Sequence, residues 1–167
     1  MRAAVDVRHR PGRRVGRNDH VAQPSNRNRE RMNQPQAAEV PCPCGSGLHR
    51  LACCGARLSG ASPAPTAEAL MRSRYTAYVL NDVEYLLHTW HFSTRPNSFD
   101  VRATAAIQWR GLDIVATQAG GAGDDAGSVE FIARYKLNGK AERLHEVSRF
   151  TRHQGRWFYV SGDIVRD

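Results

Sequence analysis

The stretch VEFIARYKLNGKAERLHEVSRF, residues 129–150, decides the fold. Val129, Phe131, Ala133, Tyr135 and Leu137 alternate with Glu130, Arg134 and Lys136. A period of two places the apolar set on one face of a β-strand. Asn138-Gly139 then supplies residues that accept the positive φ angles of a two-residue hairpin turn. Leu144 to Phe150 alternates again, and Gln154-Gly155 turns the chain into RWFYVSG, residues 156–162. Upstream, an earlier strand is expected from about Ala103 to Gln118, with Gly111 marking a bulge. AGGAGDDAGS, residues 119–128, reads as a flexible hairpin loop. Four successive strands with short turns describe an antiparallel sheet.

Before these strands the period is helical. Thr66 is a candidate N-cap, and Glu68 lies in the first turn, where a negative charge complements the helix dipole. Ala67, Leu70, Met71, Tyr75, Tyr78 and Val79 recur at helical spacing up to Leu80. Asn81-Asp82 breaks this helix, and Asp82 caps a second in which Val83, Leu86, Leu87 and Trp90 form an apolar stripe. Pro96 closes the helical region. Helices first and strands after predict an α+β class, with helices on one face of a curved antiparallel sheet.

All four cysteines lie between positions 42 and 54, in PCPCGSGLHRLACCG, residues 41–55. The pattern is Cys-x-Cys, eight residues, then Cys-Cys. Four thiolates in so short a window close a tetrahedron around one ion, and Zn²⁺ favours that donor set in structural sites. Gly45, Gly47 and Gly55 permit the turns, while Pro41 and Pro43 stiffen the entry. Two disulfides are the competing reading. They suit a reducing compartment poorly, and pairing Cys53 with Cys54 or Cys42 with Cys44 makes a strained small ring. An iron site is a second competitor. His49 is a further donor, but the cysteines already complete the set.

The chain has 167 residues and a net charge of +8. Nine arginines against three acids within residues 1–31 account for a surplus of six. The high pI therefore describes one segment, and the remainder is nearly neutral. Residues 1–35 show no helical or strand period and read as a disordered basic extension. Two alternatives stand beside that reading: a start at Met32, and an Arg-rich arm for nucleic acid. No apolar run approaches a membrane span, and no signal peptide is expected, so a cytoplasmic setting is the default. The expected organisation is a zinc-binding motif at 36–58, a Pro- and Ser-rich linker at 59–65, and the α+β domain at 66–167.

The segment Cys42 to Gly55 resembles the SEC-C motif, a short zinc-binding module found on many unrelated proteins. The resemblance implies Cys42, Cys44, Cys53 and Cys54 as the ligands. MRSRYTAYVLNDVEYLLHTWHFSTRP (71–96), HEVSRF (145–150) and GRWFYVSGD (155–163) extend the likeness. Together they resemble the YchJ-type proteins, uncharacterised bacterial proteins with an N-terminal SEC-C motif and a nuclear-transport-factor-2-like domain. That resemblance implies a cystatin-like cone, a curved antiparallel sheet with packed helices, plus a small N-terminal zinc knuckle. Many such proteins carry a second SEC-C motif at the C-terminus; none is read in the residues up to Asp167, so a two-knuckle mechanism is not expected.

Polar candidates for a site inside the cone are Arg74, Tyr75, His88, His91, Ser93, Thr94, Arg95, Glu146 and Ser148. His88 and His91 share a face if the second helix continues. Glu146 and Ser148 share a strand face with Leu144 and Phe150, so a buried Glu146 calls for Arg74 or Arg95 as its partner. The leading expectation is a zinc-binding adaptor whose knuckle docks a protein partner and whose cone holds a small molecule or forms a homodimer. An enzyme is the alternative, with His91 or Glu146 as acid–base group and Arg95 as anion anchor. Nucleic-acid binding through the arginine arm is the third, and the least expected.

Overall fold

The computed structural model describes residues 40–98 and 106–166. The expected basic extension, the Met32 start and the first residues of the early strand lie outside the described residues.

The chain enters through a tight loop in which Pro41 pairs with His49. It then winds through a wide π-type turn, Leu51–Gly55, into a single helical turn, α1 (Ala56–Leu58). Helix α2 (Ala67–Leu80) starts where Thr66 caps it, its hydroxyl accepting from the Ala69 N–H. It ends at Asn81, whose φ of 56° turns the chain out of the helix. Asp82 caps α3 (Val83–His88) by accepting from the Tyr85 N–H at 3.0 Å. Both helix starts and the break between them match the sequence reading.

Helix α3 stops before Trp90, although the apolar stripe continues to it. The Thr89 carbonyl accepts from the Tyr159 N–H at 2.9 Å, and the His91 N–H donates to the Tyr159 carbonyl at 2.8 Å. Strand-like pairing with the sheet therefore replaces another helical turn, and Trp90 stacks edge-on against Tyr159.

The sheet is a meander of β1 (Ile107–Ala119), β2 (Ala126–Leu137), β3 (Lys140–His153) and β4 (Arg156–Ile164), in that spatial order. All neighbours are antiparallel. Asn138 and Gly139 both take positive φ, 50° and 81°, as a hairpin matched to strand twist requires. The loop expected at 119–128 is shorter, since pairing begins at Ala126. The register slips between Trp109 and Gly111, near the glycine expected to mark a bulge. Further slips at Ile114/Ala116 and Arg149/Phe150 add curvature.

Helix α2 lies on one face of the sheet. Leu70, Met71 and Tyr75 meet Leu112, Val129, Phe131, Ala133, Phe150 and Trp157 in one core. The four cysteines belong to that same core. Residues 59–65, expected to be a linker, are tied down: the Ser62 N–H donates to the Ala56 carbonyl, Ala64 is buried, and Trp157 Nε1 donates to the Pro65 carbonyl at 3.3 Å. The knuckle and the α+β layer thus form one body, because the knuckle alone has too little apolar surface to hold a shape.

Candidate metal centre and an adjoining cavity

The metal-ligating atoms of Cys42, Cys44, Cys53 and Cys54 all lie within 4.8 Å of one another, and all four residues are buried. Cys44 Sγ stands 3.6 Å from Cys53 Sγ, and Cys53 Sγ stands 3.8 Å from Cys54 Sγ. A disulfide needs about 2.05 Å, so the four are free thiols. Four sulfurs at about 2.3 Å from one ion stand about 3.8 Å apart along the edges of a regular tetrahedron. The observed spacings meet that requirement, so the donor set fits one tetrahedral metal ion.

Electrostatics makes the same point. Cys44 is held down to about 4, first by a hydrogen bond from Cys54, against the opposing effect of burial. Cys54 is pushed up by that same bond with Cys44 and then by burial, and Cys53 is raised chiefly by burial. Neighbouring buried sulfurs cannot all carry charge unless a cation joins them.

The surrounding residues explain the local sequence. Gly45 has a φ of +75°, and a side chain there would bring its Cβ to 2.9 Å from the Leu112 carbonyl oxygen of β1. Ser46 sits 3.2 Å from the Cys53 sulfur through its hydroxyl. From α2, Arg72 Nη1 donates to the Cys44 carbonyl at 2.8 Å while its Nε pairs with Glu68. Thr76 Oγ1 lies 3.7 Å from Cys42 Sγ. Arg57 Nη1 donates to the Cys53 carbonyl at 2.7 Å. Sequence reasoning found the sulfurs but not Ser46, Arg72 or Thr76. Arg72 and Thr76 have one legible signal: they stand four apart on the helix facing the knuckle.

A cavity of about 210 Å³ lies between α2 and the sheet. Arg74, Tyr75, Tyr78, Trp109, Glu146, Ser148 and Tyr159 line it, with apolar walls from Met71, Phe131 and Leu144 among others. Of the candidates read from sequence, the fold brings together Arg74, Tyr75, Glu146 and Ser148. His88 is exposed at the end of α3, and His91 lies beyond it, so the two share no helical face. His91 Nδ1 is 2.6 Å from the Ser93 hydroxyl, and Arg95 Nη2 donates to the Trp90 carbonyl at 3.3 Å. Ser93, Thr94 and Arg95 are exposed, and neither His91 nor Arg95 is among the lining residues. The trio His91, Arg95 and Glu146 does not converge.

Arg74 is 3% exposed. Its Nη1 donates to the Leu86 carbonyl and to Thr89 Oγ1, each at 2.7 Å. Trp90 and Tyr159 cover its guanidinium at 5.2 and 4.6 Å. Burial lowers its pKa, while Tyr78, Tyr159, Tyr85 and Glu146 pull the other way. No ion pair joins Arg74 to Glu146 among the described residues, contrary to the expected bridge. Instead the Ser148 hydroxyl donates to Glu146 Oε1 at 2.5 Å, and Gly162 on β4 leaves the carboxyl room to lie across it.

Comparison with known proteins agrees with this geometry. The family model described as the YchJ middle NTF2-like domain matches residues 66–162. A UPF0225 protein of Chromobacterium violaceum is 53% identical over 136 residues, covering 80% of this chain and all of the relative. A UPF0225 protein of Bordetella parapertussis is 47% identical over 135 residues, covering 80% of this chain and 99% of its own length. The solution structure of a SEC-C motif containing protein from Rhodopseudomonas palustris superposes with a TM-score of 0.67 at 35% identity, over 76% of this chain and all of that one. The crystal structure of a SEC-C motif containing protein from Psychrobacter arcticus gives 0.63 at 25% identity, over 78% and 85% of the two chains. The family model covers more than half of the chain and the relatives are covered almost entirely, so this chain belongs to the YchJ-type UPF0225 family.

Proposed function

We propose that the metal is Zn²⁺ and that the metal-closed knuckle is a docking element for a protein partner. A four-sulfur tetrahedral set is a closed structural site with no open coordination position, which suits zinc and excludes a zinc-bound nucleophile at that centre. When bound, zinc would balance the thiolates and fix the chain path from Cys42 to Cys54.

The observation that carries the docking reading is the outer surface of the knuckle. Val40, Leu48 and Leu51 are 45%, 54% and 52% exposed, although the segment's sulfurs are fully engaged inside. Arg50 and His49 stand between them in sequence, and residues 40–58 contain no acid. Apolar side chains held outward on a rigid, basic-edged loop match an apolar partner segment flanked by acidic residues. No helix among the described residues is long and apolar enough to cross a membrane. An acid–base enzyme using His91, Arg95 and Glu146 has less support, because those groups stand apart.

The test is Leu48→Ser/Leu51→Ser beside Cys44→Ser, compared in affinity capture with quantitative mass spectrometry. A specific partner should be lost from both variants, while the leucine variant keeps its metal and melting temperature. A partner retained equally by all three proteins would refute docking through the knuckle.

A further inference from the structure

The segment that leaves α3 carries an exposed feature with no part in the metal centre or the cavity. Trp90 packs inward on Tyr159, and the His91 backbone bonds to β4. The chain then folds back, the Thr94 and Arg95 N–H groups both donating to the His91 carbonyl. Phe92, in that turn, is 70% exposed, more than any other large apolar side chain among the described residues.

Phe92 does not stand alone. His91 lies against it at 4.2 Å between ring centroids and 33° between planes, close to an offset stack. The Ser93 hydroxyl, 2.6 Å from His91 Nδ1, holds the imidazole in place. His153 meets Phe92 edge-on at 6.1 Å, and Phe158 meets His91 edge-on at 6.3 Å. In the β3–β4 pairing His153 stands opposite Arg156, and Thr151 opposite Phe158. Alternation therefore puts Arg156 and Phe158 on the sheet face away from the buried Trp157.

The surroundings are cationic. Arg95 and Arg156 are exposed, and neither belongs to an ion pair among the described residues. Arg95 is anchored beside the turn by donating from Nη2 to the Trp90 carbonyl at 3.3 Å. Residues 88–98 and 149–162 contain no Asp or Glu. Asp163, the next residue of β4, pairs with Arg149. Asp124 and Asp125, whose loop bonds to Arg152 and Thr151, stand on the β2 side of β3, with β4 on the other. The other large apolar side chains left exposed all lie outside these two segments. An apolar protein segment would be met by aliphatic area. Rings edged by guanidinium groups, with no carboxylate between them, match flat π-faces strung on a chain of anions.

We propose that this patch binds single-stranded nucleic acid, with an unpaired base stacked on the open face of Phe92 and the flanking phosphates held by Arg95 and Arg156. A duplex hides its base faces, so the patch discriminates against it.

The test uses the full chain with its metal and labelled oligo-dT and oligo-rU of about 12 nucleotides, within the ~4–16 that single-strand sites span, read by fluorescence anisotropy. An abasic strand of equal length, a duplex of equal length and polyglutamate serve as competitors. The abasic strand keeps the phosphates and lacks the bases, which separates stacking from attraction to the Arg-rich residues 1–31. Saturable binding of at least one of the two strands is expected, the tighter of them identifying the sugar. The abasic strand and the duplex should bind at least about 5-fold more weakly, the lower end of one stacked base. Phe92→Ala should weaken the preferred strand by about 5–150-fold at an unchanged melting temperature, while Phe92→Trp keeps the affinity. Arg156→Gln should lower the slope of log affinity against log salt by about 0.7, the share of one phosphate. No binding of either strand, an abasic strand that binds as tightly as the base-bearing one, an unaffected Phe92→Ala variant, or polyglutamate competing on equal terms would each overturn the proposal.

Discussion

Replacing Gly162 by alanine tests how the sheet positions Glu146. Gly162 lies opposite Ser148 across the β3–β4 pairing. An alanine Cβ there would stand 2.0 Å from Glu146 Oε1, 2.3 Å from Cδ and 2.9 Å from Cγ. Carbon–carbon contacts settle near ~3.5–4 Å, so the carboxyl must move by more than an ångström. Moving it away from β4 breaks the bond from the Ser148 hydroxyl. Ser148 is 1% exposed, so its hydroxyl loses a charge-assisted partner inside the protein. That loss is worth about 1.5–3 kcal/mol. The smaller entropy of the unfolded alanine chain offsets about 0.4–1 kcal/mol. The net expectation is a destabilisation of about 0.5–2.6 kcal/mol, or roughly 2–13 °C in melting temperature. Denaturant unfolding of Gly162→Ala, Glu146→Ala and the double variant forms a closed cycle. With Glu146 shortened the clash disappears, so the alanine should then cost nothing or stabilise slightly. An unchanged melting temperature in Gly162→Ala, or the same cost in both backgrounds, would refute the reasoning.

Other outcomes follow from the same geometry. Arg72→Ala removes the donor to the Cys44 carbonyl and the pair with Glu68. It should cost about 1–2 kcal/mol by thermal unfolding while metal content stays at one per chain; simultaneous loss of the metal would mean that Arg72 does more than tether. Cys44→Ser should release the metal and expose residues 40–58 to hydrogen exchange, with a large drop in melting temperature because the cysteines belong to the shared core. Protection retained across 40–58 would contradict this. Burial pushes Tyr75 and Tyr159 up to about 12, from an unfolded value near ~10. Their raised values contribute stability that is complete below about pH 10 and is lost as pH rises from 10 through 12. Absorbance of tyrosinate should therefore show a late fraction that titrates together with unfolding, and a single early transition with the fold intact would be inconsistent.

Much of the architecture could be read directly because it rests on local chemistry. Thr66 and Asp82 cap helices in any context, and Asn138-Gly139 forces a tight turn whatever surrounds it. The cysteine spacing needs only a short chain to converge. What escaped the reading depends on relations between distant segments. The end of α3 at His88 is set by Tyr159, about 70 positions later, which pairs with the chain at Thr89 and His91. The room for Glu146 depends on register across β3 and β4, which a bulge at Arg149/Phe150 fixes. Arg72 and Thr76 looked like ordinary helix residues, and only the docking of the knuckle gives them a role. Glu146 was expected to pair with Arg74 or Arg95; Arg74 and Glu146 line one cavity, but stacking and a serine satisfy them instead of an ion pair.

The central claim is that the four sulfurs hold one structural ion. Elemental analysis of the purified full-length protein, paired with thiol counting before and after chelation, tests it most directly. One zinc per chain, with four thiols that react only once the metal is withdrawn and the fold loosens, is the predicted result. A folded protein with four reactive thiols and no bound metal would contradict it.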